Sequence, residues 1–167
     1  MSGPAPITGS RMTPAAGLYD WLLFVHILAA MVWLGGGVML AALAVRVLRS
    51  REPEEVDRFL GNLRVIGPAV LAPASIGVLG LGVWLVLDSS AWDFSQLWVQ
   101  IALGVFAAAF LIGPAVVGRA AIDAGRAHER GERDATLRQF TRWCRGYGLI
   151  VVLLVIATWD MVTKPGL

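Results

Sequence analysis

One ionisable group sits inside the longest apolar run of this chain: His26, within DWLLFVHILAAMVWLGGGVMLAALAVRVL at residues 20–48. Ala30, Trp33 and Gly37 follow it at i+4, i+7 and i+11, so the four share one helical face. A neutral imidazole can ligate haem iron or copper through one ring nitrogen while an acceptor fixes the other. The same residue also reads as a core histidine, hydrogen-bonded to Ser75, Thr158 or a carbonyl freed by a proline. If it binds haem, the second axial position falls to Met31, Met161, a water or a residue of another protomer. The other histidine, His128, belongs to a charged linker.

Four carboxylates, Asp20, Asp88, Asp93 and Asp160, stand at the ends of apolar runs. Together they could collect cations or hold a hard metal, and separately they read as caps and solvated loop residues. Asp160 is the least easily dismissed, because it lies beside Trp159 and still within its apolar run. The candidate metal ligands are therefore His26, Asp20 and Asp160. His26 lies eight residues inside Leu18, about 12 Å by helical rise. Counted inward in the same way, Gly80, Gly82, Gly104 and about Leu153 share its depth. Glycines there either let helices touch or leave room for a flat ligand, which makes His26, Trp33, Gly80 and Gly104 the candidate cofactor-binding set. Gly35-Gly36-Gly37 and Gly80 are expected at close helix contacts. No Ser-His-Asp set, Walker loop, Rossmann fingerprint or zinc motif occurs, which argues against a hydrolase or nucleotide enzyme.

These residues must be positioned by membrane-spanning helices. The chain is 57% hydrophobic and 16% charged, too apolar for an ordinary soluble domain of 167 residues. Crossing a bilayer core of roughly 30 Å takes about 20 helical residues. Four runs qualify, at about 18–48, 65–87, 97–117 and 147–162. The shortest, the fourth, needs the preceding RQFTRWCRG to continue it as a helix. Pro68 and Pro73 interrupt the second run and Gly113-Pro114 the third, so the second helix is expected to be buried or kinked. Residues 1–17, rich in Pro, Gly, Ser and Thr, read as a flexible, uncleaved tail, and 164–167 as a second short tail. The linker from Arg119 to Arg145 reads as a solvated helical hairpin. Cys144, the single cysteine, excludes an internal disulfide.

Orientation follows from the arginines. Thirteen of the 14 basic residues are Arg, and twelve of these lie in the linkers between spans 1 and 2 and spans 3 and 4. By the positive-inside rule both linkers are cytosolic and both termini outside. Trp21, Trp84, Trp92, Trp98 and Trp159 then fall together near the outer interface, as an aromatic belt. This segregation reads as topology, and nucleic-acid binding is not expected.

Phe24-Val25-His26 through Trp33-Leu34-Gly35-Gly36, then Gly82-Val83-Trp84-Leu85-Val86-Leu87-Asp88, then Trp159-Asp160-Met161-Val162 with Lys164-Pro165, resemble an uncharacterised bacterial family of predicted four-span integral membrane proteins. That likeness covers nearly all of the chain after residue 17. The first helix is similar, through His-x6-Trp-x-Gly-Gly, to the copper-resistance protein D membrane domain and to HemJ-type protoporphyrinogen oxidases. The HemJ-type likeness implies haem b on His26 with a lysine from another span, whereas the one lysine here, Lys164, is in the tail. The copper-protein likeness implies metal import, but Met31 and Met39 form no ligand ladder.

The sequence thus predicts an all-α, up-and-down four-helix transmembrane bundle over residues 18–163, in the inner (cytoplasmic) membrane, with both termini outside. The expected role is haem b or transition-metal (copper) binding through His26, in redox chemistry or haem or metal transport. The alternative is a structural or accessory subunit without a cofactor, in which His26 only packs helices. The expected partners are the lipid bilayer and a second copy of the chain.

Overall fold

The computed structural model describes residues 17–166, so the N-terminal tail expected from the sequence lies outside the described residues. Four helices follow one another: α1 (Leu18–Ser50), α2 (Pro53–Asp88), α3 (Leu97–Glu129) and α4 (Arg133–Thr163), each long and apolar enough to cross a membrane. Among the described residues there are no strands. The fold is the all-α four-helix arrangement read from the apolar runs.

Two tight turns close one end of the molecule. Arg51 takes a left-handed φ of 57° between α1 and α2, and Gly131, at φ 71°, turns α3 into α4. The two turns are tied together by Arg133, whose guanidinium donates to the Arg51 carbonyl at 3.0 Å and lies 3.5 Å from Glu52. All twelve linker arginines belong to this basic end. The opposite end carries the 89–96 loop and the exposed tryptophans Trp21, Trp84 and Trp159, one each from α1, α2 and α4. Trp92 and Trp98 meet edge to face there, and Lys164 sits 3.8 Å from the Trp92 ring centroid.

The linker from Arg119 to Arg145 departs from the expected solvated hairpin. It extends α3 and α4 as helices, and its inner face is the most completely buried part of the protein. Ala120, Ala124, Phe140, Trp143 and Val56 are all at 0% exposure. Phe59 packs edge to face on both Phe140 and Trp143, and Trp143 stacks on Tyr147 with centroids 4.8 Å apart. Alanines recurring at 120, 124 and 127 give α3 a flat strip on which these rings can lie. The arginines occupy the other face of the same helices.

The proline breaks are absorbed without ending a helix. Gly67–Leu71 of α2 and Gly113–Gly118 of α3 are π-helical, one residue wider per turn than the α-helix on either side. Both begin with the same five residues, Ile-Gly-Pro-Ala-Val, at Ile66 and at Ile112. Proline lacks the N–H that would close the preceding α turn, and the wider turn re-satisfies the freed backbone. Because α2 and α3 run in opposite directions, both wide turns fall at the boundary between the basic extensions and the apolar runs. The second helix is thus widened near its basic end, and Pro68 and Pro73 are exposed, not buried.

Around the bundle α1 packs on α2 and α4, and α3 packs on α4. The apolar halves of α2 and α3 scarcely meet, although their basic extensions do. The bundle is closed at its basic end and parted along one side within the apolar layer. Gly146 of α4 marks the tightest crossing: a Cβ there would lie 3.0 Å from Val116 Cγ1 and 3.1 Å from Val117 Cγ2. Gly80, expected at a helix contact, is exposed and has nothing within 4 Å of a Cβ. Gly146→Leu should therefore destabilise the detergent-solubilised protein by about 1–3 kcal/mol through overpacking, while Gly80→Leu should change it by less than about 0.5 kcal/mol. Thermal or denaturant unfolding of the two variants checks both expectations, and equal losses would show that the α3–α4 crossing is not the tight one.

Candidate functional site

The α1 face predicted to turn inward does so. Leu22, His26, Gly37, Leu40 and Ala44 are its buried residues, and Trp33 is half-buried between them. Three small-residue contacts stitch this face to α2 in an antiparallel register. A Cβ on Gly82 would lie 3.2 Å from His26 Cε1, one on Gly77 would lie 3.6 Å from Ala29 Cβ, and one on Gly36 would lie 3.3 Å from Leu71 Cδ2. Each pair sums to nearly the same total, as two straight antiparallel helices require. Gly82 is thus the residue that makes room for the imidazole, because any side chain there would strike the ring.

His26 is 6% exposed, and its Nδ1 is buried without a hydrogen-bond partner. The Val78 carbonyl, one turn along α2, faces the ring but at a geometry that forms no hydrogen bond. The hydroxyls expected to serve it are occupied elsewhere. Ser75 Oγ donates to the Ala72 carbonyl and Thr158 Oγ1 to the Leu154 carbonyl, each at 2.8 Å within its own helix. Prolines at 68 and 73 free carbonyls only near the basic end, far along α2 from Gly82.

The other candidates separate. Gly80 and Gly104, which depth alone placed beside His26, are both exposed and open. The reason is helical phase: Val78, Gly82 and Leu85 form the inward face of α2, and Gly80 lies two residues from each of its first two members, on the opposite side. Trp33 stays on the inward face and meets Phe106 of α3, with centroids 5.5 Å apart. This aromatic pair bridges α1 and α3 on the basic side of His26. Met31 and Met39 are 66% and 65% exposed, turned away from the His26 face, and Met161 is half-buried.

Asp20 is explained by local structure. As the third residue of α1 its carboxylate accepts the Gly17 N–H at 2.9 Å, closing the first turn as a capping carboxylate does. Asp93 accepts the Ser95 N–H at 2.8 Å, and its bonding with Ser95 holds its carboxyl below the usual range. Asp88 is exposed. Asp160 is different: it is 1% exposed and both carboxyl oxygens lack a partner. Among the described residues no three His, Cys, Asp or Glu side chains come together in a group able to hold a metal ion. His26, Asp20 and Asp160 thus do not form such a group of three.

The chain belongs to the family described as predicted integral membrane protein DUF2269, whose model matches residues 20–165. No curated protein and no solved structure matches significantly. The match thus supports the uncharacterised membrane family, and no match supports a wider likeness to copper-resistance protein D or HemJ-type proteins.

A buried polar group with no partner costs about 1–3 kcal/mol. Replacing His26 by leucine in cofactor-free protein should accordingly leave stability unchanged or raise it within that range. A loss of more than about 1 kcal/mol on unfolding in detergent would reveal a hydrogen-bond partner and reduce His26 to a packing residue.

Proposed function

We propose that this integral membrane protein binds haem b through His26 and serves electron transfer, or the movement of haem or metal, at the cytoplasmic membrane. The observation that carries the reading is the buried Nδ1 of His26, which faces the Val78 carbonyl at most and forms no well-aligned hydrogen bond. An imidazole sequestered in a helix seam without a hydrogen bond is expensive in lipid, and such groups mark function more often than packing. Haem is favoured over a bare copper ion by the ligand count. A lone histidine cannot complete the coordination of a free ion, whereas a porphyrin brings four nitrogens of its own and needs the protein only axially. The parting between α2 and α3 gives a flat apolar group a lateral route from the bilayer, and the Trp33–Phe106 pair limits its depth. Bound there, haem supplies one-electron chemistry. His26 would hold it, Gly82 would give the imidazole room beside α2, and the surrounding apolar side chains would exclude water.

His26→Ala separates this reading from a cofactor-free accessory subunit. Wild-type protein from cells supplied with iron, copper and haem precursor should show a haem b reduced-minus-oxidised spectrum, and the variant should insert and fold without it. A colourless, metal-free wild type would end the ligand reading and leave the structural role.

The orientation belongs to the same proposal: basic end in the cytosol, tryptophan end and both termini outside. It is supported by the twelve arginines gathered at one end and the tryptophans at the other. In a Cys144→Ser background, a cysteine at Ser89 should react with an impermeant reagent in intact cells and one at Glu129 should not. The reverse pattern would invert the topology.

A further inference from the structure

Three arginines at the basic end have carboxylate partners. Arg133 reaches Glu52, Arg130 lies 2.6 Å from Glu132, and Arg126 lies 4.0 Å from Asp123. Among the described residues nine linker arginines have no carboxylate within 4 Å, and three of them, Arg138, Arg142 and Arg145, share α4 and line one groove. They are spaced i, i+4 and i+7 along α4, so they form one row on its outer face. Among the described residues no carboxylate lies within 4 Å of any of them. Glu132 is the acidic group whose field reaches Arg138, and its carboxyl is held low mainly by its hydrogen bond to Arg130. Arg142 and Arg145 have no such neighbour.

This row borders a groove of about 530 Å³ between α4 and the π-helical turn of α3. Its other walls are Val116, Thr141, Gly146 and Leu149. The groove runs where the wide turn at Gly113–Gly118 passes α4, whose Gly146 packs closely on Val116 and Val117. It also straddles a boundary. Arg138, Arg142 and Arg145 lie before the fourth apolar run, whereas Leu149 lies within it and Val116 ends the third. Guanidinium groups therefore face one end of the groove and aliphatic side chains the other.

We infer that this groove binds one acidic phospholipid of the leaflet at the basic end, with its phosphate held by Arg142 and Arg145 and its glycerol and first methylenes on Val116, Gly146 and Leu149. Charge complementarity selects an anion, since three guanidiniums line the groove with no carboxylate within 4 Å and guanidinium presents paired N–H donors that match phosphate. The aliphatic half selects a lipid over a free anion, which would leave it unfilled. Basic pockets between transmembrane helices hold lipid headgroups on the same grounds.

The test uses full-length protein in uncharged detergent, titrated with phosphatidylglycerol, phosphatidylcholine or inorganic phosphate, with thermal stability and lipid retention in native mass spectrometry as readouts. Phosphatidylglycerol should stabilise the protein and be retained, and the other two should not. At about 5-fold per arginine, Arg142→Gln with Arg145→Gln should weaken phosphatidylglycerol binding by about 25-fold. Arg46→Gln with Arg49→Gln, an equal charge loss on α1, should leave it unchanged. Arg145→Lys keeps the charge and the exposed position but removes the paired donors, and should weaken binding severalfold even if the double variant fails to fold. Equal losses in the α1 control would reduce the effect to diffuse attraction of the basic end, and equal stabilisation by inorganic phosphate would make the groove a simple anion site. Either result overturns the proposal.

Discussion

The aromatic stack of Phe59, Phe140, Trp143 and Tyr147 is the contact on which the bundle depends. Within lipid, bringing two apolar helices together removes no apolar surface from water, so the hydrophobic effect does not hold them. Phe59, Phe140 and Trp143 lie beyond the apolar runs, where that effect operates. Fully burying a large apolar side chain stabilises by about 1.5–3 kcal/mol, and a well-oriented aromatic pair adds about 0.5–1.5 kcal/mol. The extensions of α2, α3 and α4 bring these rings together, and Ala44 at the basic end of α1 joins the same cluster. All four helices are thereby clamped at one end.

What happens in the apolar layer follows from that clamp. Helices held at one end need only local complementarity further along, and here it comes from small residues. Gly82, Gly77 and Gly36 set α2 against α1, and Gly146 sets α4 against α3. No such residue joins the apolar halves of α2 and α3, and these part. His26 therefore lies in the apolar half of the bundle, away from the aromatic clamp. An unpaired imidazole would be a liability inside the clamp, where every group is tightly packed. In the seam beside an open flank it can meet a ligand without dismantling the core.

Much of this was legible in the sequence, because hydropathy and the 3.6-residue period report directly on lipid and on helical faces. The four helices, their up-and-down order and the inward face carrying His26, Trp33 and Gly37 follow from those two signals. Depth counting was less reliable than phase. Gly80 and Gly82 are equally deep, but lie about 200° apart around α2, and only Gly82 meets α1. The Arg119–Arg145 linker was misread because its charge density suggests solvation, while its alanines at 120, 124 and 127 and its aromatics at 140 and 143 form an inward stripe. The repeated Ile-Gly-Pro-Ala-Val was the overlooked signal. Two identical breaks at matching depth in antiparallel helices indicate a shared boundary feature, not two unrelated kinks. The unpaired state of Nδ1 could not be read at all, since it depends on Ser75 and Thr158 bonding within their own helices.

The two wide turns connect these halves. An α-helix passing from a water-facing extension into lipid would ordinarily carry its phase straight through, so the face that packs on Phe140 and Trp143 would fix the face presented in the bilayer. A π-helical turn inserts extra residues and shifts that phase. In α3 this lets the Ala120–Ala124 strip lie against the aromatic stack while Phe106 turns toward Trp33. In α2 it lets Val56, Phe59 and Leu60 enter the clamp while Val78, Gly82 and Leu85 face α1. The breaks thus allow one chain to satisfy two solvents with two independent helical faces.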